Sequence, residues 1–148
     1  GTGDPKVCMD LGEFAQQHPD QFAFINGFSS EHAHLVEAGA DFFLMPSQFE
    51  PCGLNQMYSL AYGTIPIVRS VGGLKDTVID YSNDNDGTGF VFDEPTPHAL
   101  LTCIRRALLA YYEDTVKFRA MQQRGMRTQF TWEAAAKSYQ QLYLAAVN

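Results

Sequence analysis

A chain of 148 residues is long enough for one domain with its own core, and 45% apolar with 18% charged residues is the balance of an ordinary soluble fold. A formal net charge of −7 argues against nucleic acid or an anionic membrane as partner, since both call for clustered positive charge. No apolar run approaches the ~18 residues of a membrane span, and three cysteines without a Cys-x-x-Cys pair suggest neither a disulfide framework nor a zinc site.

Gly1-Thr-Gly reads as a turn, with Asp4 as N-cap and Pro5 at the first helical position. Val7, Leu11, Phe14 and Ala15 keep helical spacing until His18-Pro19-Asp20 ends the helix. Cys8 and Cys103 fall among apolar helix positions and read as small core residues. Phe22–Asn26 is predicted as a strand, with Gly27 and Phe28 at its carboxyl end, where parallel α/β sheets bind ligands. Phe28 is either a stacking surface for a nucleobase or an ordinary core aromatic. Ser29 or Ser30 caps a short helix through Ala38; His32 and His34, two apart, point to different faces and predict no metal site.

The most informative stretch follows. Asp41–Met45 predicts a buried strand, broken by Pro46 and Ser47. Glu50, Pro51, Cys52 and Gly53 form a tight turn, and a helix runs from Asn55 to Ala61, with Met57, Leu60 and Ala61 on one face and Gly63 as C-cap. A helix start leaves backbone N–H groups unpaired and carries partial positive charge. Gly53 lets an anion approach the backbone, and an ionised Glu50 accepts hydrogen bonds from polyol hydroxyls. Phosphate at Gly53, Leu54 and Asn55 beside a sugar at Glu50 describes a nucleotide-sugar site. The alternative is a plain strand–helix connection with Glu50 solvated and Cys52 merely packing.

Ile65–Val68 predicts a short strand, with Pro66 better suited to an end or edge than to a central ladder. Gly72 and Gly73 read as a turn that allows close backbone approach, before a short helix over Lys75–Ile79. Residues 82–89 are loop-like; Asp84, Asn85 and Asp86 lack the following Glu and flanking helices of an EF-hand calcium loop. Gly89–Phe92 is a last strand. Thr96 caps and Pro97 opens a helix with Leu100, Ile104, Leu108 and Tyr111 on a stripe; a second helix covers about 115–129 with Phe118 and Met121 inward. Thr131 caps a third, whose stripe of Trp132, Ala135, Ala136, Tyr139, Leu142, Tyr143 and Ala146 must be buried, either in this core or against another domain or copy. Strands alternating with helices give the class α/β, a Rossmann-like, mainly parallel sheet.

Three motifs, Ser47-Gln-Phe-Glu-Pro-Cys-Gly-Leu-Asn-Gln56, Tyr62-Gly-Thr-Ile-Pro-Ile67 and Gly72-Gly-Leu-Lys-Asp-Thr77, resemble in order and spacing the donor-binding region of glycogen and starch synthases. The likeness extends over essentially the whole chain. It implies the C-terminal half of a two-domain GT-B fold, and transfer of glucose with retention from ADP-glucose to the non-reducing end of an α-1,4-glucan, without metal or other cofactor. By the same likeness Glu50 belongs to the catalytic centre and holds glucose hydroxyls. Cys52, Gly53, Leu54, Asn55, Gly72 and Gly73 line the donor, and Phe28 stacks on adenine. Where the wider superfamily carries a second Glu, eight residues after the first, this chain has Tyr58, which leaves a two-carboxylate mechanism without support.

The resemblance further implies that residues 1–148 are an incomplete nucleotide-sugar-binding domain. The first two strands of that domain and the N-terminal domain, with the acceptor-glucan groove, would lie outside it. Self-association through an exposed strand edge is then expected. Of ten basic residues only Arg69 and Lys75 lie near the motifs, so helix-start amides must carry much of the phosphate binding. The expected compartment is reducing, bacterial cytoplasm or plastid. The rival readings are another retaining nucleotide-sugar transferase, and a non-catalytic nucleotide-sugar or glucan-binding module.

Overall fold

Three short parallel strands, β1 (Phe42–Met45), β2 (Ile65–Arg69) and β3 (Phe90–Phe92), lie side by side in that order in a computed structural model that describes residues 3–83, 86–128 and 130–147. The register pairs Phe42 with Ile65 and Met45 with Val68, then Ile67 with Phe90 and Arg69 with Phe92. Seven helices complete the chain among the described residues: α1 (Pro5–Gln17), α2 (Ser30–Gly39), α3 (Asn55–Tyr62), α4 (Gly72–Thr77), α5 (Pro97–Glu113), α6 (Thr115–Arg127) and α7 (Trp132–Val147). By contacts the chain divides into two units, residues 1–34 and 35–148.

In the second unit, side-chain alternation sends Ile65, Ile67, Phe90 and Phe92 to one face of the sheet, against Cys103 and Ala107 of α5 and Phe118 and Met121 of α6. Val68 and Val91 point to the other face, where Leu74 and Val78 cover them. β2, covered on both faces, is therefore a continuous apolar run. Burying Ile65, Ile67 or Phe90 stabilises by about 1.5–3 kcal/mol each. β1 was expected to be buried; it is the edge of this sheet, and Leu44 is 44% exposed.

Pro66 corrects a second expectation, because it sits in the central strand and is fully buried. Successive residues of a parallel strand address opposite neighbours. Ile65 donates to the Asp41 carbonyl on the β1 side, while Ser70 donates to the Phe92 carbonyl on the β3 side. Pro66 therefore faces β3, whose ladder begins only at the next pair, Ile67 with Phe90, so the missing N–H breaks no bond.

The caps follow the sequence. Asp4 accepts from the Lys6 and Val7 amides, Ser29 from His32, Thr96 from Ala99, and Thr131 from Ala134. Gly63 closes α3 with φ 81°. Phe22–Asn26 is a correction. It alternates half-buried Phe22 and Phe24 with exposed Ala23 and Ile25, but it is no strand, since a strand exists only as one side of a ladder and this segment joins none in the sheet. Cys8 is only half-buried on α1, a helix with no buried residue, whereas Cys103 is 2% exposed and burial pushes its thiol pKa up to about 11. None of the described residues of α7 is buried, so its apolar stripe stands exposed. The expected turn at Gly1-Thr-Gly and the loop residues Asp84 and Asn85 fall wholly or partly outside the described residues.

Asp80 ties the segment after α4 to β3 and α5. Its carboxylate accepts from the Val91 amide at 2.8 Å, the Ser82 amide at 2.9 Å and Arg106 Nη2 at 2.7 Å. Burial opposes its ionisation, but these hydrogen bonds, Arg106 foremost, outweigh burial and hold its pKa below the usual carboxylate value.

Candidate functional site

The loop that leaves β1 crosses the carboxyl end of the sheet before entering α3. Arg69, at the end of β2, fastens its first part: Nη1 donates to the Ser47 and Gln48 carbonyls at 3.1 and 2.7 Å, and Nε to the Asp93 carbonyl at 3.1 Å. The guanidinium that the sequence left available for a phosphate is thus committed to backbone carbonyls. Lys75 remains on the exposed side of α4.

The turn itself presents Glu50 half-buried, and among the described residues its carboxylate has no hydrogen-bond or ion-pair partner. Cys52 is exposed, as are Leu54 and Asn55. Gly53 has φ +72°, a conformation that disfavours any side chain. Among the described residues the amides of Gly53, Leu54 and Asn55 donate no hydrogen bond, as expected for a helix start with no side-chain cap. One unpartnered carboxylate and a short row of open amides therefore stand together beyond the carboxyl end of a parallel strand, a pure acceptor beside a set of donors.

Gly72 and Gly73 were read as a turn; they are the first turn of α4, following Val71. The close approach they permit is to the protein's own backbone. A Cβ on Gly72 would fall on the Glu50 carbonyl oxygen, and one on Gly73 on the Cys52 carbonyl oxygen. The third motif thus docks against the first, and α4 serves as the seat of the Glu50–Cys52 turn. Phe28 lies in the first unit and is 88% exposed, so it is not a core aromatic.

Sequence reasoning missed what holds the turn from within. Gln56 is 0% exposed, and its Nε2 donates to the Cys52 carbonyl at 3.1 Å, the Gly53 carbonyl at 3.0 Å and Thr77 Oγ1 at 3.1 Å. The buried face of α3 is accordingly Gln56, Ser59 and Leu60, not the expected Met57, Leu60 and Ala61. The positions 56, 59, 60 and 63 do carry helical i, i+3, i+4, i+7 spacing, but a polar residue and a serine on that row hide it from an apolar-periodicity search. Among the described residues no group of three or more His, Cys, Asp or Glu is placed to hold a metal ion, and no helix is long and apolar enough to cross a membrane.

A parallel α/β unit with an open turn at its carboxyl edge is a Rossmann-like arrangement, the kind in which ligands bind beyond the carboxyl ends of the strands. The chain belongs to the glycosyl transferases of group 1, whose family pattern matches residues 15–124. It is 56% identical over 145 residues to the glycogen synthase of Photobacterium profundum, covering 97% of this chain and 28% of that protein. It is 57% identical over 149 residues to the glycogen synthase of Vibrio parahaemolyticus, covering 100% of this chain and 31% of that protein. The fold matches the catalytic domain of starch synthase IV from Arabidopsis thaliana, described as bound to ADP and acarbose, with a TM-score of 0.84 and 31% identity over 97% of this chain and 30% of that one. The chain therefore spans 28–31% of the length of these bacterial relatives.

Proposed function

We propose that this chain is the donor-binding part of a glucan synthase, which transfers glucose from ADP-glucose, with retention, to the non-reducing end of an α-1,4-glucan. Residues 1–148 would form the nucleotide-sugar side of the enzyme, and a further domain would supply the acceptor groove. The observation that carries this reading is the pairing of the unpartnered Glu50 carboxylate with the open amides of Gly53, Leu54 and Asn55 on one turn. More than half identity to bacterial glycogen synthases supports it, and so does the shared fold of a starch synthase described as bound to ADP.

In this reading the amides meet the diphosphate. That group leaves when the glucosyl bond breaks, so donors aimed at it stabilise charge that grows in the transition state. Glu50 accepts from the glucose 3- and 4-hydroxyls and orients the ring, and no nucleophile or general-acid role is assigned to it. Cys52 completes the donor wall, and Gly72 and Gly73 back it as the seat of the turn. The bacterial relatives support a cytoplasmic location over a plastid.

Calorimetric titration with ADP-glucose, UDP-glucose and maltoheptaose tests the proposal. Binding of ADP-glucose in preference to UDP-glucose is the expected result. Binding of maltoheptaose with no response to either nucleotide sugar would replace it with a glucan-binding module.

A further inference from the structure

Gln56 is buried without being apolar, and the geometry of its amide has a consequence for the turn above it. Its NH2 group faces two carbonyl oxygens, which only accept, so the donor end of the amide must point that way. Its two hydrogens are shared between these carbonyls and Thr77 Oγ1, whose hydroxyl in turn donates to the Gly73 carbonyl at 2.6 Å. One buried side chain thus links the turn, α3 and α4. A Cβ on Gly53 would come within 2.5 Å of Gln56 Oε1, so the glycine and the glutamine are matched to each other.

A trans peptide plane carries its carbonyl and its N–H on opposite edges. Anchoring the Cys52 carbonyl therefore aims the Gly53 N–H, and anchoring the Gly53 carbonyl aims the Leu54 N–H, both away from Gln56. We infer that Gln56, braced by Thr77, is a positioning residue: it sets the direction of the two backbone amides that meet the donor diphosphate. This rests on the donor-binding role proposed above, but the bracing of the turn can be measured separately from it.

The test uses Gln56→Met, which keeps the length and loses the donor, and Thr77→Val, which removes only the hydroxyl contacts. Two readouts are taken on variants that keep wild-type circular dichroism. The first is the rate at which iodoacetamide alkylates Cys52, followed by peptide mapping, because Cys52 is exposed and its own carbonyl is one of the anchored groups. The second is affinity for ADP set against adenosine, which has no phosphate. The expected result is a faster Cys52 reaction and about tenfold weaker ADP binding, the size of one misaimed hydrogen bond to a charged group, with adenosine unchanged. A glutamine that only fills space would lower the melting temperature and leave the ADP-to-adenosine ratio and the Cys52 rate alone, and that result overturns the inference. If the wild-type chain binds no ADP, the proposed function falls, and the Cys52 rates still decide whether Gln56 braces the turn.

Discussion

Replacing Gly73 with alanine puts the packing of the third motif against the first to a direct test. Gly73 is buried in the first turn of α4 and has no positive φ, so the added methyl acts by steric overlap alone. Its Cβ would lie 2.6 Å from both the carbonyl carbon and the Cα of Cys52, where carbon atoms pack best at about 3.5–4.0 Å. The turn and the helix must therefore part by about 1 Å. Inserting a methyl into such a contact typically costs about 1–3 kcal/mol, a fall of roughly 3–10 °C in melting temperature for a chain of this size. Gly12→Ala in α1 is the reference: nothing lies within 4 Å of its Cβ, so only helix propensity acts, and a gain of about 0.5–1 kcal/mol is expected. Urea unfolding followed by circular dichroism measures both. Because the displaced turn carries the amides proposed to meet the diphosphate, loss of donor affinity should accompany the loss of stability. A Gly73→Ala chain as stable as wild type, with unchanged Cys52 reactivity, would refute the view that α4 seats the turn.

Arg69→Lys loses the fork that reaches the Ser47, Gln48 and Asp93 carbonyls, and should destabilise by about 1–2 kcal/mol in urea unfolding, since charge-assisted hydrogen bonds are lost. Asp80, whose folded pKa lies below its ordinary value of 3.8, contributes stability that is fully present above that value and is lost as pH falls through the folded pKa; melting curves taken below pH 3.8 should show this loss in wild type and lack it in Asp80→Asn. Iodoacetamide at pH 8 should label the exposed Cys52 first and reach Cys103 only on unfolding, because burial raises that thiol to about 11; rapid labelling of Cys103 in the folded chain would contradict the described core.

Much of the fold was legible because its signals are local. The caps at Asp4, Thr96 and Thr131, the left-handed close of α3 at Gly63, and the apolar runs of β2 and β3 each follow from a few neighbouring residues. What escaped depends on pairs distant in sequence. Pro66 fits a central strand only because β3 starts pairing one residue later. Gly72 and Gly73 look like a turn until the Glu50 and Cys52 carbonyls are set against them. Arg69 looks like a free cation until the loop after β1 closes on it. Gln56 gave no apolar signal, since its burial depends on carbonyls that only the folded turn brings together. The carboxylate and the glycine of the turn were readable as types, but not the buried amide that holds the Cys52 and Gly53 carbonyls.

In the proposed function the donor divides between two parts of one turn, diphosphate at the amides and sugar at Glu50. This division is tested most directly by calorimetric affinities for ADP and ADP-glucose in wild type and in Glu50→Ala. Wild type is expected to bind ADP-glucose more tightly than ADP, and Glu50→Ala to keep ADP affinity and lose the sugar's contribution, about 1.5–3 kcal/mol for hydrogen bonds to a charged acceptor. Equal weakening of both ligands, or an unchanged ADP-glucose affinity, would contradict it.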